Sequence, residues 1–314
     1  MEFENKKILV TGGGGMVGKS LLKRLREEGA NDLLYPSSKE LDLRNQQKVE
    51  EYFKKNSPEY VFNLAAKVGG IAANIAAPAE FLYDNLLMHA NLTESSKNNS
   101  VKKLLFLGSS CIYPRECEQP MKEDSLLTGK LEPTNEGYAI GKICGLKLCE
   151  YYNKQYGTDF MSLMPPNIYG TNDHFGSESS HVISALITKI KNAKKEKRRH
   201  IELWGTGSAK REFLFVEDAA DAIIYFIKNY SAKDIDPFVN IGSGEETTIK
   251  DLAYLIKEII GYNGEIRFNQ DSKLDGMPRK ILDSSRAKNL GWEAKINLRE
   301  GLERTINWYI KIKN

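Results

Sequence analysis

Gly12-x-x-Gly15-x-x-Gly18 sits between an apolar run, Ile8-Leu9-Val10, and a stretch where Val17, Leu21, Leu22 and Leu25 recur at helical spacing. No other feature restricts the chain as much. A strand must stop, turn within a few residues and become a helix that ends near Gly29. Glycines in that turn let the backbone approach a pyrophosphate. The helix N-terminus adds free N–H donors and a favourable dipole. The segment Gly12, Gly13, Gly14, Gly15, Met16, Val17 and Gly18 is therefore the candidate dinucleotide cradle.

The same alternation continues along the chain. "DLLYPSS" reads as a strand, "NQQKVEEYFKKN" as an amphipathic helix and "YVFNLAA" as a strand. A long helix follows over "FLYDNLLMHANLTESSKNN", then the strand "KKLLFLGSS", the helix "YAIGKICGLKLCEYYNKQYG" and, in "FMSLMPPNIYG", a strand that ends at the paired prolines. Alternating strands and helices predict an α/β, doubly wound (Rossmann) parallel sheet. After about residue 170 the pattern loosens, which predicts a smaller, partly discontinuous C-terminal lobe. The expected division is 1–165 with a returning segment at about 213–245, against 166–212 and 246–314.

The chain has 314 residues, and its net charge of +3 is small beside 45 basic and 42 acidic side chains. That balance gives no case for a nucleic-acid or membrane partner. The spacing of Cys111, Cys117, Cys144 and Cys149 fits neither a zinc site nor a dense disulfide framework, and no metal is expected. Free thiols in a cytoplasmic protein are the simplest reading.

In such a fold ligands bind outside the C-terminal strand ends. The polar end of "LLFLGSSCIY", where Ser109, Ser110 and Cys111 follow an apolar run, would face that crevice. Leu64, Ala65 and Ala66 end another strand there, as do Leu107 and Gly108. Ser37, Ser38 and Lys39 stand where NAD sites usually carry an acid, and they suit the 2′-phosphate of NADP(H) better. Read alone, Lys39 is equally an ordinary solvated lysine. Tyr138 and Lys142 are one helical turn apart on one face. An ammonium there lowers a phenol's pKa, and a tuned phenol exchanges protons with a carbonyl or alcohol. By itself the pair would be an ordinary surface couple. Ser109, about thirty residues upstream, adds a hydroxyl for the same carbonyl.

Together the glycine turn, "NLAA", "SS" and Tyr138/Lys142 resemble the extended short-chain dehydrogenase/reductase family. "KVGGI", "LFLGSSCIYP", "EPTNEGYAIGK", "NDHFGSESSHVI", "LWGTGSAKREFL" and "DG-x-PRK" narrow the resemblance to the GDP-L-fucose synthase family. That family epimerises C3 and C5 of GDP-4-keto-6-deoxy-D-mannose and reduces C4 with NADPH. The resemblance implies Cys111 and His181 as the acid–base pair, with Ser109, Tyr138 and Lys142 at the ketone. Pro165, Pro166, Asn167 and Ile168 would line the nicotinamide site, with His181 nearby. Lys189, Trp204 and Arg211 match substrate-contacting positions; Asp275 and Arg279 would join them at the GDP end. A homodimer is expected by the same resemblance.

Two departures bear on the cofactor. Pro166 replaces a usual threonine, and Gly14 stands where many relatives carry an arginine for the 2′-phosphate. Neighbouring activities remain open as alternatives: a GDP-L-colitose synthase, a GDP-keto-heptose reductase, or a nucleotide-sugar binding protein without catalysis.

Overall fold

The computed structural model describes residues 3–176, 181–235, 237–270 and 276–313. Twelve strands are described: β1 (Lys7–Thr11), β2 (Asp32–Leu34), β3 (Tyr60–Asn63), β4 (Lys103–Leu107), β5 (Phe160–Met164), β6 (Asn167–Tyr169), β7 (His200–Leu203), β8 (Lys210–Phe215), β9 (Val239–Asn240), β10 (Glu246–Thr248), β11 (Glu265–Phe268) and β12 (Arg279–Lys280). The helices are α1 (Met16–Glu27), α2 (Gln46–Asn56), α3 (Ile71–Ala76), α4 (Pro78–Asn98), α5 (Glu136–Tyr156), α6 (Val182–Lys195), α7 (Val216–Asn229), α8 (Ile249–Ile260), α9 (Ser285–Asn289) and α10 (Leu298–Lys313).

Six strands form a parallel sheet in the order β2-β1-β3-β4-β5-β9. The chain steps from β1 to β2 on one side, then returns to place β3 on the other. That reversal opens a crevice at the C-terminal ends of β1 and β3. Period-two alternation sends Ile8 and Val10 to one face and Leu9 to the other. The first face packs on α1 and α7 through Leu21, Leu25, Ile223 and Phe226. The second packs on α2, α4 and α5 through Phe53, Leu92 and Leu146. Each fully buried Leu, Ile or Phe contributes about 1.5–3 kcal/mol, so both faces are held by apolar burial.

The strand in "FMSLMPPNIYG" ends at the paired prolines as expected, and a second strand follows them. Pro165 and Pro166 end β5, and β6 leaves the central sheet to pair with β8. Proline offers no N–H to a ladder, so the break falls there. A second sheet orders β10-β8-β12, with β6 also on β8, and β7 pairs with β11. A third core of α6, α8 and α10 packs against these strands through Ile187, Ile256 and Ile306. The short α3 between β3 and α4 had no counterpart in the sequence reading.

Candidate active site

A cleft of about 1000 Å3 runs from the glycine turn to the second sheet. Its dinucleotide end follows from backbone geometry. Gly12 has φ +71°, a conformation side-chain-bearing residues rarely adopt. A Cβ on Gly18 would stand 2.2 Å from the Gly12 carbonyl oxygen. Only glycine lets α1 begin this close to β1. The helix N-cap, Gly15, supplies no side-chain hydrogen bond, which leaves the first N–H groups of α1 to a ligand. An anion-binding cradle of this kind fits a pyrophosphate. Residues 12–18, 64–66, 107–111 and 165–168 all line the cleft, as do Ser37 and Ser38. Lys39 does not; it is exposed beyond the rim. Arg44 lines this end instead, held by Asp42 at 2.9 Å and Asp84 at 3.4 Å.

The catalytic end is set by α5 and the end of β4. Gly137, Gly141 and Gly145 form a stripe at four-residue spacing on α5. A Cβ would meet the Pro78 carbonyl oxygen at 2.5 Å from Gly137, Asn85 Cβ at 2.9 Å from Gly141 and the Phe106 ring at 2.6 Å from Gly145. This close approach to α4 and the sheet sinks Tyr138 and Lys142 into the cleft. The four-residue spacing of the stripe is visible in the sequence, but what it packs against is not. The Lys142 ammonium donates to the Leu107 carbonyl at 2.7 Å and lies 5.0 Å from the Phe106 ring centroid. Its side chain is 3% exposed, and burial pushes its pKa down to about 7.

That burial overturns one expectation. Lys142 was expected to lower the Tyr138 phenol. Burial instead raises the phenol above its usual range, and the negative charge of Cys111 adds to the rise. The ammonium is spent on the Leu107 carbonyl and is itself half-neutralised near pH 7. Tyr138 is therefore held in its proton-donating form.

Gly108 ends β4 with no room for a side chain: a Cβ would sit 2.1 Å from Met164 Sδ. Ser109 then caps a single 3₁₀ turn, Ser110–Ile112, its hydroxyl accepting from the Cys111 N–H at 3.3 Å. The turn faces Cys111 into the cleft. Its sulfur accepts from Lys280 Nζ at 3.2 Å and from Asn135 Nδ2 at 3.3 Å. Burial alone would raise this thiol. The Lys280 charge, with hydrogen bonds from Ser109, Lys280 and Asn135, outweighs it and leaves the pKa lowered.

His181 is the N-cap of α6 and lines the same cleft. Ser109, Cys111, Tyr138, Lys142 and His181 thus border one cavity. At the far end Arg211 lines the cleft, whereas Lys189, Trp204 and Arg279 do not. Trp204 is 75% exposed. Arg279 is turned away, bonded to Glu246 at 2.8 Å through Nε. Successive strand residues point to opposite faces, so its neighbour Lys280 is the one that enters the site. Asp275 lies outside the described residues. Lys280 and Asn135 were missed; "PRK" offered two adjacent cations, and nothing local said which faced inward.

The family described as the NAD dependent epimerase/dehydratase family matches residues 8–242. GDP-L-fucose synthase 1 of Arabidopsis thaliana is 47% identical over 311 residues, covering 99% of this chain and 95% of that protein. A solved GDP-6-OMe-4-keto-L-xylo-heptose reductase from C. jejuni superposes with a TM-score of 0.93 at 37% identity, covering 99% of both chains. A GDP-mannoheptose C4 reductase from Campylobacter jejuni, solved with NADP bound, gives 0.90 at 38% identity, covering 98% of both. The chain belongs to the NAD dependent epimerase/dehydratase family and, within it, groups with the GDP-L-fucose synthases.

Proposed function

We propose that the protein is an NADPH-dependent epimerase/reductase that converts GDP-4-keto-6-deoxy-D-mannose to GDP-L-fucose. One observation carries the reading: a thiol drawn toward its thiolate and a phenol held protonated border the same cleft as a dinucleotide cradle. A C4 ketone acidifies the protons on C3 and C5, because each carbanion is an enolate. The Cys111 thiolate takes one proton while His181 returns one on the opposite face; the sulfur then loses its proton to solvent, His181 regains one from it, and the same exchange follows at the second carbon. Ser109 and Tyr138 hydrogen-bond the O4 oxygen, where the enolate charge develops. Tyr138 then passes its proton to O4 during reduction. Bound NADPH supplies the hydride for C4. The turn at 12–18 would hold its pyrophosphate, with Ser37 and Ser38 toward the ribose phosphate. Arg211 serves the GDP end, and an arginine can pair bidentately with phosphate oxygens. Lys189 and Trp204 are kept as GDP contacts by resemblance.

The same reading divides the chain into a dinucleotide-binding body, 1–165 with the return at about 213–245, and a substrate lobe. In its support, α7 packs on α1 and β9 extends the central sheet. We also assign a homodimer. Tyr83 and Leu86 on α4 and Tyr151 on α5 are exposed, and these two helices pack along each other. A cytoplasmic location suits the four unpaired thiols.

The test supplies GDP-4-keto-6-deoxy-D-mannose and NADPH in D2O and reads product stereochemistry and deuterium by NMR. The expected product is GDP-L-fucose labelled at C3 and C5. Cys111→Ser should lose the label while still binding NADPH. Unchanged labelling in that variant refutes Cys111 as the base. Reduction without inversion in the wild type would point instead to a reductase like the C. jejuni heptose enzymes.

A further inference from the structure

We propose that Lys280, carried on β12, is the positioning residue that holds the Cys111 sulfur anionic and aimed into the cleft. The inference rests on the reading of Cys111 as the epimerisation base and adds what equips it for that work.

Two N–H donors, Lys280 Nζ and Asn135 Nδ2, converge on one sulfur at 3.2 and 3.3 Å. A neutral thiol is a weak acceptor. Convergent donors, one of them cationic, match the electron-rich thiolate. An ordinary thiol, with a pKa near ~8.5, is only a few per cent ionised at pH 7. A base that must take a carbon-bound proton needs more than that. When the C3–H or C5–H bond breaks, its electron pair moves into the enolate and the proton forms an S–H bond. Lys280 forms and breaks no bond in this step, so its role is to hold charge and position.

The other titratable groups facing the sulfur do not replace it. Tyr138 and Lys142, both on α5, interact electrostatically with Cys111. The phenol is held neutral, and the Lys142 ammonium is directed at the Leu107 carbonyl. His181 lines the same cleft. Cys117, on the loop after Cys111, feels the Lys280 charge but is raised by burial.

Lys280 is placed by a lattice of main-chain bonds. Residues 279–280 pair with 210–211 on β8. The Ile281 N–H donates to Gln119 Oε1 at 3.0 Å, and the Met121 N–H donates to the Ile281 carbonyl at 2.8 Å. The Leu282 N–H donates to the buried Glu212 carboxylate at 2.9 Å. These contacts stitch β12 and the residues after it to β8 and to the loop that follows Cys111, across a sequence separation of 169 residues between the sulfur and its cation. The sulfur therefore meets this cation only when β12 is docked beside the segment that follows Cys111.

The experiment measures Cys111 alkylation by iodoacetamide as a function of pH, read on the Cys111 peptide by mass spectrometry. Cys111→Ser serves as the blank. The wild-type midpoint should fall below the ordinary thiol value. Lys280→Met should raise the midpoint by about 1–3 pH units, the range an opposite charge at this distance moves a group. Lys280→Arg should restore most of it. Deuterium exchange into C3 and C5 at pH 7 should fall at least about tenfold in Lys280→Met and recover toward pH 9. A purely structural defect would depress exchange at every pH and leave the midpoint in place. A wild-type midpoint at or above ~8.5, or one that Lys280→Met leaves unmoved, overturns the proposal. The first of these needs no variant to fold. If Cys111→Ser retains exchange, the base assignment fails separately, while the titration still reports on the lysine–thiol pair.

Discussion

Lys142→Met tests the electrostatics of the site without any substrate. The Lys142 amine is 3% exposed, and burial takes its pKa from 10.5 to about 7. At about 1.4 kcal/mol per pH unit that drop corresponds to about 5 kcal/mol. The unfolded chain keeps the proton up to pH 10.5, whereas the folded chain gives it up near 7. Between those values unfolding takes up a proton, so stability rises with pH. The penalty is full below pH 7 and gone above 10.5. Methionine has similar length and no charge. It also loses the bond to the Leu107 carbonyl, but that loss is constant with pH. Urea denaturation of both proteins at pH 7, 8 and 9 isolates the slope. The stability of the wild type relative to Lys142→Met should improve by about 2 kcal/mol from pH 7 to 9. A flat difference would mean that the buried ammonium keeps its solution pKa, and the burial argument would be wrong.

Two more outcomes follow from packing and burial. Gly18→Ala places a Cβ 2.2 Å from the Gly12 carbonyl, so the turn must open; NADPH binding, followed by fluorescence titration, should weaken at least about tenfold with the circular dichroism unchanged. An unaltered Kd would remove the turn from the cofactor site. His89 is fully buried, shares a 3.4 Å contact with Asn63, and is held well below 6.5 by burial, with the Lys142 charge adding. The unfolded chain takes a proton below pH 6.5 that the folded chain refuses, so stability falls as pH drops, by up to about 1.4 kcal/mol per unit. His89→Gln should flatten that slope by about 1 kcal/mol between pH 6.5 and 5.5 in denaturation midpoints; an unchanged slope would show that His89 takes up its proton in the folded state.

The glycine turn and the strand–helix alternation were legible because each is local: a few residues set the backbone or the buried face. Tyr138 and Lys142 were legible for the same reason, since one helical turn fixes their relation. Lys39 stayed open between the 2′-phosphate and solvent because a loop lysine's direction is not encoded nearby; it stands exposed outside the cleft lining. Arg279 misled because alternation says two neighbours point oppositely but not which one points inward; pairing with β8 decides that. Likewise no short window could show that burial would lift the phenol of Tyr138 and lower the amine of Lys142, since desolvation depends on what other segments cover.

By itself the sequence determined the kind of sheet, the place of its phosphate-binding turn and the identity of the hydroxyl, phenol, ammonium and thiol at its crevice. Only the folded chain decided their protonation states and brought Lys280 to Cys111. Spacing along a helix or strand is written in consecutive residues, but electric fields and desolvation are set by atoms that become neighbours only after distant segments dock.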